Sequence, residues 1–119
     1  MIKAIIVDDE QRSREALNGL IERYCPEVFV IAEATGCNDG IDKTRKFEPD
    51  LVFLDIQMPD GSGFNFLEAF DKINFEVIFT TAHDQYAIKA IKYSALDYLL
   101  KPVDPDELKI AINKYLLKN

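Results

Sequence analysis

The sequence predicts an α/β domain built on a parallel sheet with helices on both faces, and three observations carry that prediction. Five short apolar runs alternate along the chain with five stretches of helical periodicity. The runs are solid, rich in β-branched and aromatic residues, and lack the polar alternation of a half-solvated strand, as strands covered on both faces require. No internal repeat, charge block or linker interrupts the alternation, and 119 residues is the length of one domain.

Ala4-Ile5-Ile6-Val7 reads as the first strand. In the helix after it, Ala16, Leu17, Leu20, Ile21 and Tyr24 share one face, and Pro26 marks the stop. Val28-Phe29-Val30-Ile31-Ala32 is the second strand. Asn38 or Asp39 is suited to cap a second helix that holds Ile41 and ends near Phe47, ahead of Pro49. Leu51-Val52-Phe53-Leu54 follows as the third strand, and Ser62 caps a third helix with Phe66, Leu67 and Phe70 inward. Val77-Ile78-Phe79 leads to a fourth helix, from Gln85 to Tyr93, with Ala87, Ile88 and Ile91 inward. Tyr98-Leu99-Leu100 is the shortest strand. The last helix opens at Asp104, places Pro105 at its first position, and buries Leu108, Ala111, Ile112, Tyr115 and Leu116.

Composition narrows the function. Apolar residues make up 48% of the chain and charged ones 29%, enough for a core without disulfides or a structural metal. Fourteen Lys and Arg stand against 21 Asp and Glu, a net charge of −7. That balance argues against direct binding of DNA, RNA or an anionic membrane, because contact with a phosphate backbone rests on clustered cations. Cys25 and Cys37 match no metal-ligand spacing and His83 is the single histidine, so a zinc site is excluded and free thiols are expected. Met1-Ile2-Lys3 opens no signal peptide, and no apolar run approaches the roughly 18 residues of a membrane span. The expected compartment is the cytoplasm.

In an open parallel sheet the chemistry lies beyond the carboxyl ends of the strands. Those ends carry Asp8-Asp9-Glu10 after the first strand, Asp55 after the third, Thr80-Thr81 at the fourth and Lys101-Pro102 at the fifth. Carboxylates converging on one rim raise one another's pKa unless a cation intervenes. Hard oxygen donors of this kind suit Mg²⁺, which takes one or two protein carboxylates and keeps several waters. Capping of the first helix is the competing use of Asp8 and Asp9, although one cap residue would suffice. Glu10 reads as a first-turn partner of the helix dipole. Beside Mg²⁺, the ionised Asp55 is a candidate nucleophile toward a phosphoryl group. The Lys101 ammonium and the Thr81 hydroxyl are placed to neutralise and bind its equatorial oxygens.

Val7-Asp8-Asp9-Glu10, Asp55-x-x-Met58-Pro59 with Gly63 eight residues after the aspartate, Thr81-Ala82 and Lys101-Pro102 occur in one order and spacing. Over nearly its whole length the chain thereby resembles the receiver domain of two-component response regulators. The runs Thr80-Thr81-Ala82-His83-Asp84-Gln85-Tyr86-Ala87 and Ala95 to Val103 resemble the LytR/AlgR subgroup, whose members carry a LytTR DNA-binding domain after the receiver. The resemblance implies a flavodoxin-like (βα)5 three-layer sandwich with strand order 2-1-3-4-5. It implies that Asp55 is the phosphoacceptor, that Asp8, Asp9, Asp55 and the Gln57 backbone carbonyl hold Mg²⁺, and that Lys101 contacts the phosphoryl group. Thr81 and Tyr98 are the implied switch pair, and the Lys101-Pro102 bond is expected to be cis. Gln57 and His83 flank the acyl phosphate and are expected to tune its lifetime.

The implied partners are a sensor histidine kinase or a small acyl phosphate donor, with a homodimer through the face of the fourth helix, fifth strand and fifth helix as one allowed assembly. Residues 1–119 are read as the receiver of a longer transcription regulator, a signalling domain that modifies itself and turns over no separate substrate. A receiver-like interaction module without phosphorylation is the alternative, against which the full set Asp9, Asp55, Thr81 and Lys101 argues. A flavin or nucleotide binder would need a glycine- or hydroxyl-rich loop where Asp8-Asp9-Glu10-Gln11 stands, and a phosphohydrolase would need length for a substrate cap.

Overall fold

A computed structural model describes residues 1–118 of the chain. Strands β1 (Ile2–Val7), β2 (Val28–Ala34), β3 (Leu51–Leu54), β4 (Glu76–Thr81) and β5 (Asp97–Leu100) alternate with helices α1 (Gln11–Tyr24), α2 (Cys37–Phe47), α3 (Gly63–Glu68), α4 (Ala87–Lys92) and α5 (Pro105–Lys118). All strand pairings are parallel and the order is β2-β1-β3-β4-β5. The solid apolar runs make sense in this arrangement, because successive strand residues point to opposite faces and both faces are covered. Ala4 and Ile6 join Leu17, Ile21, Leu108 and Ala111 in a core under α1 and α5. Ile5 and Val7 join Cys37, Phe64, Phe66 and Ala90 in a second core under α2, α3 and α4. Cys25 and Cys37 are buried free thiols. Among the described residues no helix is long and apolar enough to cross a membrane.

Several helix ends follow the chemistry expected of them. Ser62 and Asn65 form a reciprocal capping box on α3. The Asp104 carboxylate accepts the Glu107 N–H at 3.0 Å at the start of α5. The start of α2 departs from expectation, since neither Asn38 nor Asp39 caps it. Its first N–H groups, of Cys37 and Asn38, donate to the Asp60 carboxylate at 2.8 and 2.9 Å. Those bonds favour the ionised form and hold the Asp60 carboxyl below its usual pKa. Asp39 instead accepts the Thr35 N–H and pairs with Lys43 at 3.2 Å.

The inward faces of three helices also differ from the expected ones. In α4 only Ala90 is buried, while Ile88 and Ile91 are 74% and 75% exposed. Tyr86, Ala90 and Tyr93, spaced four and three residues apart, hold the inward stripe, and the two tyrosines cover the core that the isoleucines were expected to fill. In α1 the stripe runs through Leu17, Leu20, Ile21 and Tyr24, so Ala16 falls on the exposed flank. In α5 Leu116 lies outside the core while Tyr115 packs against it. The outermost strands are the least covered, with Phe29 in β2 55% exposed and Leu100 in β5 43%.

The loop after β3 is fastened to the sheet end by Gly63, whose N–H donates to the Ile56 carbonyl at 2.8 Å. A Cβ at Gly63 would lie 2.6 Å from the Asp55 backbone carbonyl, so any side chain there must push the loop off the strand end. Gly63→Ala is expected to cost about 1–3 kcal/mol, the usual penalty of forced overpacking. Urea unfolding measures it, and an unchanged midpoint would contradict the close approach.

Candidate functional site

The register brings the four chemically distinctive strand ends to one rim. Val7 pairs with Leu54, Leu54 with Phe79, and Thr81 with Leu100, so Asp8, Asp55, Thr81 and Lys101 all fall at the carboxyl edge. Backbone bonds hold them there: Asp55 N–H donates to Val7 O at 2.9 Å, Asp8 N–H to Ala34 O at 3.0 Å and Lys101 N–H to Thr81 O at 2.8 Å. The Lys101–Pro102 peptide is cis, as expected.

Asp8, Asp9 and Asp55 each present a carboxylate oxygen within 4.8 Å of the others. Asp8 and Asp55 are 2% and 4% exposed, whereas Asp9 stands partly in solvent. Asp8 divides its two oxygens. Oδ1 accepts the Glu10 N–H at 2.9 Å and Oδ2 accepts Lys101 Nζ at 2.8 Å. The capping role weighed for Asp8 and Asp9 is not what the fold uses, since α1 has Glu10 at its N-cap position and no side-chain cap bond. Asp55 Oδ1 accepts the Ile56 N–H at 2.8 Å, and Oδ2 lies 3.4 Å from Lys101 Nζ.

One ammonium therefore serves two buried carboxylates, and Glu10 reaches it as well at 3.8 Å. Burial pushes the Asp55 pKa up to about 6; the Lys101 charge pulls it down and Asp8 pushes it further up. For Lys101 burial acts against the charged form, but the bond to Asp8 and the negative charges of Asp55 and Asp8 outweigh it and raise its pKa. Compact oxygen donors, more negative charge than one lysine balances, and one carboxylate open to water are what a hydrated Mg²⁺ requires. The residues present fit that ion.

The two residues expected to act as the switch, Thr81 and Tyr98, clamp the backbone of His83 on both sides of its Cα. Thr81 is fully buried, and its Oγ1 accepts the His83 N–H at 3.3 Å. The half-buried Tyr98 donates its hydroxyl to the His83 carbonyl and packs on Phe79, with ring centroids 6.3 Å apart. Burial raises the Tyr98 pKa, against a backbone hydrogen bond from Tyr86. The His83 ring stands edge-on to Tyr86 at 6.3 Å, and the exposed Gln57 donates Nε2 to the Tyr86 hydroxyl at 2.8 Å. Tyr86 is thus the residue sequence reasoning passed over. In sequence it falls only within the expected fourth helix and the run shared with the LytR/AlgR subgroup, and no local signal links residue 86 to residue 57. Glu10 was likewise assigned to the helix dipole, and its reach to Lys101 depends on the β1–β5 geometry.

Comparison with known proteins identifies the family and the fold. Residues 4–113 match the family model of the response regulator receiver domain. The chain is 41% identical over 117 residues to the sensory transduction protein LytT of Bacillus anthracis, covering 97% of this chain and 47% of that protein. It is 41% identical over 110 residues to the transcriptional regulatory protein BtsR of Escherichia coli, covering 92% and 46%. The chain thus spans about half the length of these relatives. Among solved structures, a LuxR-family DNA-binding response regulator from Staphylococcus aureus superposes with a TM-score of 0.85 at 29% identity, over 96% of this chain and 98% of that one. The response regulatory domain of mrkE from Klebsiella pneumoniae also gives 0.85, at 25% identity over 95% and 93%.

The raised Asp55 pKa has a consequence for stability. Without divalent cation, the folded protein holds a proton on Asp55 up to about pH 6, while the unfolded chain releases it near pH 4. Stability from this group is therefore full below pH 4 and is lost as the pH rises through 6. Asp55→Asn in chelator is expected to exceed the parent by about 2–3 kcal/mol above pH 6, with the gap closing toward pH 4. Urea unfolding across that range checks the slope, and a gap independent of pH would contradict it.

Proposed function

The chain belongs to the family of response regulator receiver domains, and we propose that Asp55 is its phosphoacceptor, charged by a histidine kinase or a small acyl phosphate. The observation that carries this reading is the convergence of the Asp8, Asp9 and Asp55 carboxylates within 4.8 Å, with Lys101 shared between Asp8 and Asp55. Asp8, Asp9, Asp55 and the Gln57 carbonyl would hold Mg²⁺, which supplies charge neutralisation for the transferring group. In the transfer an Asp55 oxygen attacks phosphorus and the bond from phosphorus to the donor breaks. From a phosphohistidine donor, the electron pair returns to the imidazole nitrogen, which takes up a proton. Lys101 neutralises oxygens of the incoming group, for which its contacts to two buried carboxylates already orient it. Given such a donor, the domain modifies itself and turns over no separate substrate.

The switch follows from the clamp on His83. Thr81 uses its oxygen to accept from the His83 N–H, and its own proton remains to be donated to a phosphoryl oxygen. Turning toward that oxygen gives up the bond to His83. The backbone at His83 is then held only through its carbonyl, by Tyr98, and the segment leading into α4 is free to shift with it. The face of α4, β5 and α5 is the surface this reading assigns to assembly and to output. Relatives named as sensory transduction and transcriptional regulatory proteins, about twice as long as this chain, support a role in controlling transcription, and the resemblance to the LytR/AlgR subgroup points to a further domain of LytTR type. A cytoplasmic setting belongs to the same reading.

Intact-mass measurement with a small acyl phosphate and Mg²⁺ tests the site. One phosphoryl group is expected on the parent, and none on Asp55→Asn or on the parent in chelator. Stoichiometric labelling of the variant would overturn the assignment.

A further inference from the structure

The bond between Gln57 and Tyr86 is absorbed neither by the metal cradle nor by the switch pair. It joins the loop after β3 to the start of α4, two segments 29 residues apart. Both side chains line a cleft of about 570 Å³ that has Asp9, a member of the acidic rim, in its wall. The two partners differ in how they are held. Gln57 is exposed and its amide hangs on several rotatable bonds. Tyr86 is half-buried, with its ring 6.1 Å from that of Phe64 and 6.3 Å from that of His83. Phe64 is itself packed between Phe79 at 5.2 Å and Tyr93 at 5.1 Å, under the ammonium of Lys89. The hydroxyl of Tyr86 is thus a fixed point on a rigid aromatic stack, and the amide of Gln57 is the mobile group it selects.

We propose that Tyr86 is a positioning residue that holds the Gln57 amide toward α4 and so sets how fast water removes the phosphoryl group from Asp55, an inference that rests on Asp55 being the phosphoacceptor. In that hydrolysis a water oxygen attacks phosphorus and the bond from phosphorus to the Asp55 oxygen breaks. The electron pair returns to the carboxylate, and the proton of the water leaves with the inorganic phosphate or to solvent. An amide two residues from the acyl phosphate can orient the attacking water, as a glutamine does in other phosphoryl-transfer sites. Bonded to Tyr86, its N–H₂ group is engaged elsewhere and its side chain lies across the cleft. Released, it is free to turn toward the acyl phosphate. The tether therefore prolongs the phosphorylated state, and it does so from the element whose position the switch alters.

The experiment follows loss of label from the phosphorylated 119-residue chain in Mg²⁺, for the parent, Tyr86→Phe, Gln57→Ala and the double variant. Tyr86→Phe keeps the ring and its packing and removes only the hydroxyl, and its thermal midpoint checks that the fold is intact. Its label is expected to decay about three- to tenfold faster than the parent's, the factor one neutral hydrogen bond commonly represents. In the Gln57→Ala background the same substitution is expected to change nothing, because the group it acts through is gone. Equal decay of parent and Tyr86→Phe, or a Tyr86→Phe effect that persists without Gln57, overturns the inference while leaving the phosphoacceptor intact. A parent that takes no label overturns the phosphoacceptor reading and this inference with it.

Discussion

The ammonium of Lys101 lies 2.8 Å from Asp8 and 3.4 Å from Asp55, and through it the ends of β1, β3 and β5 act as one site. Burying two carboxylates is costly unless positive charge is close, and a single lysine is shared among these two and, at longer range, Glu10. Burial raises the Asp55 pKa although a cation stands beside it, and the Asp8 charge adds to the rise. A rim built this way is held together by its lysine and still carries negative charge of the kind a small hard cation would neutralise. Charge left over in the folded state is what would suit the site to Mg²⁺ and to a group that Mg²⁺ can accompany.

The strand order explains why a lysine does this work. In β2-β1-β3-β4-β5 the end of β5 is separated from that of β3 by β4, so neighbouring spacings of about 4.8 Å place Lys101 roughly 10 Å from the strand that carries Asp55. A four-carbon stem spans that gap. The side chain at the intervening end of β4 must then be small enough to pass beneath it, and Thr81, fully buried with its hydroxyl bonded to the next turn, meets the condition. The near-absence of space on the other side has the same logic, because Gly63 leaves no room for a Cβ against the carbonyl of Asp55. Asp55 is thus fixed by backbone contacts, and the surrounding side chains supply charge.

The strands and the rim were legible because both depend on local facts. A solid apolar run such as Leu51–Leu54 demands burial on both faces, and polar residues such as Asp55 that end those runs must gather where parallel strands terminate. Helix faces were less legible. In α4 the isoleucines looked like core residues by hydropathy, yet the tyrosines at 86 and 93 carry larger apolar surface and flank Ala90, so they took the inward stripe and turned Ile88 and Ile91 outward. The start of α2 was illegible for another reason. Its cap is Asp60, more than twenty residues downstream, and no local spacing encodes a partner that only the fold brings near. The Gln57–Tyr86 bond was missed on the same ground.

These long-range polar bonds matter most where packing is thinnest. Helix α4 has six residues and one buried side chain, too short to be stable by itself and too little buried to be located by its core contacts. Its position is set by the segment that leads into it. There the backbone of His83 is gripped by Thr81 on its N–H and Tyr98 on its carbonyl, and Tyr86 is gripped by Phe64 and Gln57. Two of those four partners, Thr81 and Gln57, belong to the rim or adjoin Asp55 in sequence. A change of charge at Asp55 therefore has a short physical route to the outer face of α4. It passes through a few hydrogen bonds, each weak enough to be exchanged for a bond to another group.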